Sequence, residues 1–183
     1  MENLILMQQV HGNNVVTVGS KDAGTVIPDC DAIITNDPKV TLGVRVADCL
    51  PISVTDKKSR TIGLIHAGWR GLEQKIIEKT LQNMIKDFSS NPKDLEIVIG
   101  PHICAKHYEV KADVSSKFSD YPGAVLGNGD KVFLDLAKVA KLQLLSLGIK
   151  EENIKIDERC TFEDKKFFSF RRDRTEKRNL LTL

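Results

Sequence analysis

The feature that most constrains the fold is a change of hydrophobic period near Gly71. Before it, the chain reads as short β-branched runs punctuated by Gly, Asp, Asn and Pro. After it, apolar residues recur at helical spacing. Alternation marks strands and a period of about 3.6 marks helices, so one chain must pack both. Leu4–Met7, Val15–Val18, Ala32–Thr35, Val40–Val46, Ile52–Thr55 and Thr61–Ile65 are predicted strands. Leu72, Ile76, Ile77, Leu81, Met84, Ile85 and Phe88 fall on one face of a predicted helix that ends before Asn91-Pro92. Leu95–Ile99 then reads as a strand stopped by Gly100-Pro101, and Asp113–Phe118 as helical. Leu134–Leu147 is a second long helix, with Leu136, Val139, Ala140, Gln143 and Leu147 on one face and Gly148 as its stop. Ile154–Asp157 and Phe167–Phe170 read as late strands. Strands and helices mix without strict βαβ alternation. The expected class is therefore α/β (α+β): an α/β/α sandwich around a mixed sheet, in a single domain of 183 residues.

Composition closes off other classes. At 41% hydrophobic and 28% charged the chain is globular in type, and no stretch approaches the ~18 apolar residues of a membrane span. The first residues carry no basic leader and no long apolar run, so a signal peptide is not expected. A net charge of +2 is too weak a bias to imply nucleic acid. Cys30, Cys49, Cys104 and Cys160 show no CxxC spacing, so free thiols in a reducing cytosol are expected. The stretch from Lys165 to Arg178 is strongly basic and is opposed only by Asp173 and Glu176. It reads either as a solvated tail or as an anion-binding segment.

Three short stretches place potential metal ligands at predicted strand ends: Gln9-Val10-His11-Gly12, Val46–Pro51 with Asp48 and Cys49, and Ile65–Gly71 with His66. Two His and one Cys form a set suited to zinc, and three protein ligands leave a fourth position open for catalysis. The wide spacing matches no compact metal motif, so a core cysteine with hydrogen-bonded histidines is the competing reading. Gly68–Gly71, just before a predicted helix, could bind an anion through backbone N–H groups and Arg70, or could be a tight turn with Trp69 in the core. Asp48 is a candidate acid, base or ligand orienter, or simply a turn cap, and Cys49 could alternatively be a thiolate nucleophile. Cys104 and Cys160 read as small core residues, and His102-x-Cys104 is a weaker metal candidate.

Together these stretches resemble the YfiH-type laccase-domain family, also called the polyphenol oxidase or peptidoglycan editing factor family. The resemblance rests on QVHG (Gln9–Gly12), DCDAIIT (Asp29–Thr35), ADCLPI (Ala47–Ile52) and HAGWRG (His66–Gly71). It continues through IGPHIC (Ile99–Cys104), YEV (Tyr108–Val110), Asp135-Leu136, Cys160-Thr161 and FFSFRRDRT (Phe167–Thr175), all in family order. It implies an α/β/α sandwich, usually monomeric, with metal ligands at His11, Cys49 and His66. It implies a zinc-dependent purine nucleoside phosphorylase acting on adenosine, inosine, guanosine or methylthioadenosine with phosphate, which also deaminates adenosine. A zinc-activated water attacking C6 of adenine fits the second activity. Arg70, Arg171 and Arg172 are the expected phosphate holders, and Asp48 the expected proton donor or orienter. Copper is a possible alternative metal.

The chain departs from the family pattern in two ways. Family members run longer, with Gly-rich and aromatic motifs before QVHG. The tail reads Thr175-Glu176-Lys177-Arg178 where the family has Thr-Gly-Arg.

Three rival readings remain. A multicopper laccase needs two His and a Cys for its blue copper and several more His for a trinuclear cluster. Four histidines in all cannot supply both. A single copper with weak phenol oxidation stays open, as does a peptidoglycan-editing amidase using the same three ligands on a muropeptide. A non-enzymatic, zinc-stabilised binding module is also open, and a fourth ligand such as Cys30 or Asp48 would favour it.

Overall fold

The computed structural model describes residues 2–183. In chain order the strands are β1 (Leu4–Met7), β2 (Val15–Thr17), β3 (Val26–Ile27), β4 (Ala32–Thr35), β5 (Thr41–Val46), β6 (Leu50–Asp56) and β7 (Thr61–Ala67). Helices α1 (Trp69–Glu73) and α2 (Ile76–Phe88) follow, then β8 (Leu95–Ile99), β9 (Glu109–Val110) and α3 (Ala112–Ser115). The chain continues with β10 (Val125–Asn128), β11 (Lys131–Leu134), α4 (Leu136–Ser146), β12 (Ile154–Ile156), α5 (Phe170–Asp173) and β13 (Asn179–Thr182).

Among the described residues these strands form three sheets. A six-stranded mixed sheet runs β12-β8-β6-β7-β4-β2, a four-stranded sheet runs β13-β5-β1-β3, and a three-stranded sheet runs β10-β11-β9. The mixed α/β class and the central mixed sheet agree with the sequence reading. Helices α1, α2 and α4 cover one face of the six-stranded sheet, and the four-stranded sheet packs on the other through β5.

Strand alternation explains this layering. Neighbouring side chains on a strand point to opposite faces. In β4, Ile34 joins the core beneath the helices while Ile33 joins the core between the sheets. In β7, Ile65 and Leu64 divide in the same way. Both faces are apolar, and Ile33, Ile34, Leu64 and Ile65 are all fully buried. Each such side chain contributes about 1.5–3 kcal/mol on leaving water.

The predicted helix after Gly71 is two helices. Lys75 adopts a left-handed conformation (φ 61°) and breaks the run between α1 and α2. Ile76, Ile77, Leu81 and Met84 are buried as expected, whereas Ile85 is exposed. α4 is capped by the Asp135 side chain, which accepts from the Lys138 N–H at 2.9 Å. Gly148 takes φ 85°, which suits glycine just past a helix end. Gln143 is buried on α4 and donates to the Leu72 carbonyl and the Tyr121 hydroxyl, tying α4 to α1.

Phe167–Phe170 is not a strand. The backbone turns there and enters α5, whose N-cap Ser169 accepts from the Arg172 N–H. The chain then returns as β13, antiparallel to β5. No helix among the described residues is long and apolar enough to cross a membrane.

Candidate active site

Asp31 organises the site. It stands just before β4 and is fully buried. A buried carboxylate is costly unless hydrogen-bonded, and this one is saturated. It accepts from the backbone N–H groups of Val10, His11 and Gly12 at 3.2, 3.0 and 2.7 Å. It also accepts from His66 Nδ1 at 2.7 Å. These bonds fold the segment after β1 into a tight turn, with His11 at φ 59°. His66 sits on β7, opposite Pro51 of β6. Cys49 immediately precedes β6, after Asp48 at φ 87°.

Three strand ends thereby converge. His11 Nε2 lies 4.0 Å from Cys49 Sγ. The His11 and His66 rings meet edge to face, with centroids 4.7 Å apart. One donor atom from each of His11, Cys49 and His66 lies within 4.8 Å of the other two. Gly68 makes room for this: a Cβ there would lie 3.0 Å from Cys49 Sγ and 3.3 Å from His11 Cδ2.

The electrostatics favour a Cys49 thiolate beside a positively charged His66. Burial alone would raise the Cys49 thiol, but hydrogen bonds and charge from His11 and His66 outweigh it and lower it to about 6. Burial would lower His66, yet Asp31 and Cys49 raise it to about 9. Asp31 is held below its ordinary value because His66 and the Gly12 and Val10 amides overcome its burial. Bonding Nδ1 to Asp31 orients the ring and leaves Nε2 free to coordinate a metal, the carboxylate–histidine arrangement of many zinc sites. The donor set of two imidazoles and a thiolate fits zinc and also accepts copper.

These donors open into a cavity of about 440 Å³. Arg45, Arg70, Arg171, Arg174 and Arg178 line it, together with Trp69, Tyr108 and Phe170. The Arg70 guanidinium lies 4.4 Å from the Trp69 ring centre, and that of Arg171 lies 5.0 Å from Tyr108. Arg171 also donates to the Glu109 carbonyl. Burial and the nearby Cys49 charge push the Tyr108 hydroxyl up, so it keeps its proton.

The expected phosphate holders separate here. Arg70 and Arg171 face the cavity. Arg172 does not line it. Its guanidinium donates to the carbonyls of Thr161, Phe162 and Phe167, so it braces the 161–167 loop. Arg174 and Arg178, from the same basic run, face the cavity with Arg45. The helix after Gly68 has only five residues, so side chains rather than its N-terminus supply the positive charge.

Asp48 lines the cavity with both carboxylate oxygens engaged. Oδ1 accepts from Thr161 Oγ1 at 2.7 Å and Oδ2 from the Arg171 N–H at 2.6 Å. Cys30 is fully buried, with its thiol near the Ile27 carbonyl and pushed up to about 12 by burial. Neither residue joins the three donors. The sequence points to neither Asp31 nor Arg45 as a site residue, and to Arg174 and Arg178 only as members of the basic run. A carboxylate opening the apolar run Ala32–Ile34 was the available signal for Asp31.

Comparison with known proteins gives the chain's family. The chain matches the family model described as multi-copper polyphenol oxidoreductase laccase over residues 1–181. It is 36% identical to a purine nucleoside phosphorylase of Staphylococcus saprophyticus, covering 93% of this chain and 68% of that one. It is 32% identical to a purine nucleoside phosphorylase of Bacteroides thetaiotaomicron, with the same shares covered. Among solved structures it is similar to YlmD of Geobacillus stearothermophilus, with TM-score 0.93 and 30% identity over 99% of this chain and 72% of that one. YfiH of Bacillus licheniformis gives TM-score 0.93 at 28% identity, covering 99% and 73%. The chain belongs to the multi-copper polyphenol oxidoreductase laccase family.

Proposed function

We propose that this chain is a zinc-dependent purine nucleoside phosphorylase. The observation that carries the reading is a His11/Cys49/His66 donor set facing a cavity rimmed by arginines. The names of its relatives support the reaction class. His11 Nε2, His66 Nε2 and Cys49 Sγ would hold the metal, with Asp31 fixing His66 behind it. When bound, the metal supplies Lewis-acid polarisation to the purine or to a water. Cys30 and Asp48 are engaged elsewhere, which favours an open catalytic position over a closed structural site.

In phosphorolysis, a phosphate oxygen forms a bond to C1′ of the ribose while the C1′–N9 bond breaks. The electron pair leaves with the purine. Arg70 and Arg171 face the cavity and would hold the phosphate by charge-assisted hydrogen bonds. Arg45, Arg174 and Arg178 add positive charge around it. Trp69 and Phe170 give the base apolar faces to rest against. Asp48 serves as an orienter rather than a proton donor: it fixes the backbone of Arg171 and the Thr161 turn. Adenosine deamination at C6 is the second activity this site would support. The free cysteines fit a cytoplasmic setting.

The laccase name of the family describes a chemistry these residues do not supply. Only His11 and His66 of the chain's four histidines stand at the donor cluster. His102 is buried on the Gly100 carbonyl, and His107 pairs with Glu163. A trinuclear copper cluster has no ligands there. The same donors would serve amide hydrolysis, but the arginine rim favours a phosphate co-substrate.

The test is chromatography of products from zinc-loaded protein and adenosine, with and without phosphate, using His66→Ala as control. Adenine appearing only with phosphate is the expected result, and inosine in both tubes would add deamination. No free base from adenosine, inosine or guanosine, with zinc bound at this site, would overturn the reading.

A further inference from the structure

A second group of donors lies outside the cavity. Cys104, His107 and Glu163 each offer one ligand atom, and these atoms lie within 4.8 Å of one another. The group joins two segments distant in sequence. Cys104 and His107 bracket a single helical turn, Ala105–His107, after β8. Glu163 follows Cys160 in a turn whose Glu163 and Asp164 N–H groups both donate to the Cys160 carbonyl. The segments are already in register. The Cys104 N–H donates to Cys160 Sγ at 3.2 Å, and His102 and Cys160 form a parallel bridge. The His107 ring stacks on Phe162 with centroids 4.3 Å apart, which fixes the imidazole plane. His107 Nε2 lies 2.9 Å from Glu163 Oε1, and Lys106 Nζ lies 2.8 Å from the same oxygen.

We propose that Cys104, His107 and Glu163 form a second divalent-cation site, selective for zinc-like metals, that staples the 104–107 turn to the 160–163 turn. A thiolate, an imidazole and a carboxylate are the donor types zinc takes, and Cys-x-x-His places two of them on one short turn. Zinc bonds of about 2.0–2.3 Å require the donors to draw together by on the order of an ångström. Glu163 is exposed, so its carboxylate can shift without displacing core side chains. The Lys106 ammonium already places a positive charge on its carboxylate, and its exposed chain can swing into water as the metal takes that place. His102, the neighbour that sequence spacing paired with Cys104, is instead bonded to the Gly100 carbonyl through Nδ1.

The staple would act on the cavity wall without entering it. Thr161, in the stapled turn, bonds Asp48, and Arg172 bonds the Thr161 and Phe162 carbonyls. Tyr108, next to His107, lines the cavity. Bound metal therefore stiffens the wall that carries Arg171.

Metal content separates this site from the first. The Cys49→Ala protein, kept reduced, loaded with zinc and freed of excess by gel filtration, is expected to retain one zinc per chain by mass spectrometry. Adding Glu163→Gln or His107→Ala should remove it, with circular dichroism unchanged for the exposed Glu163→Gln. Cobalt in the Cys49→Ala protein should show thiolate charge-transfer absorption that disappears with Cys104→Ser. No zinc retained by Cys49→Ala overturns the proposal. Zinc retained regardless of Cys104→Ser, His107→Ala and Glu163→Gln overturns it equally.

Discussion

Asp31 holds His66 by two bonds: its Oδ1 accepts from Nδ1 at 2.7 Å, and its backbone carbonyl accepts from the His66 N–H at 2.7 Å. The same carboxylate fixes the His11 turn through three amides. One residue thus sets the direction of two of the three donors. Asp31→Asn should lower zinc affinity about 10–100-fold, the usual cost of losing an orienting carboxylate. Competition with a chromophoric chelator measures it. Unchanged affinity would show that packing alone positions the ring.

Gly68→Ala probes the space around the donors. The backbone at Gly68 is extended (φ −82°, ψ 178°), so alanine is tolerated conformationally. Its Cβ would press on Cys49 Sγ at 3.0 Å. We expect weaker metal binding with a near-normal melting temperature. A large loss of stability with full metal affinity would place the strain elsewhere.

The arginines should divide by role. Arg70→Ala is expected to raise the KM for phosphate by about tenfold or more, since a charged hydrogen bond is worth about 1.5–3 kcal/mol. Its melting temperature should hardly change. Arg172→Ala should instead lower the melting temperature, because three carbonyls lose their donor. Steady-state kinetics beside thermal melts give both readouts. The reverse pattern would exchange the two assignments.

Asp56 gives a pH dependence far from the metal donors. It closes the turn between β6 and β7, accepting from the Lys58 and Ser59 N–H groups and from Ser59 Oγ. Burial would raise its pKa, but Ser59, Ser90 and the amides of Lys58 and Ser59 outweigh this and hold it below the ordinary aspartate value. A depressed carboxylate stabilises the fold fully above its unfolded pKa and ceases to do so as pH falls through the folded one. Asp56→Asn should therefore melt well below wild type at pH 7, and the gap should narrow below about pH 4. A gap of equal size at pH 7 and pH 3 would show that ionised Asp56 contributes nothing.

The central strands and long helices were legible because their patterns are local. Ile33 and Ile34, or Leu64 and Ile65, declare two apolar faces in any short window. β13 was not, because Asn179–Thr182 becomes a strand only by pairing with β5, far back in the chain. The break at Lys75 is a single left-handed residue with no glycine to announce it. At the site, His11, Cys49 and His66 could be read as ligands at strand ends. Asp31 showed only as a carboxylate opening an apolar run, since its role comes from donors 19–35 residues away in two segments. The basic run revealed its charge but not its direction, so Arg172 and Arg174 could not be told apart before their partners were seen.

The bond between Asp48 and the Arg171 amide spans 123 residues. At a translation rate of about 5–20 residues per second, Asp48 waits roughly 6–25 s for its partner to be made. His11, Cys49, His66 and Asp31 have all been synthesised long before then. On the ribosome the metal donors are thus complete while the wall that carries Arg171 does not yet exist. Arg45 and Arg70 are made in the same early stretch as these donors, whereas Arg171, Arg174 and Arg178 join the cavity only at the end of synthesis.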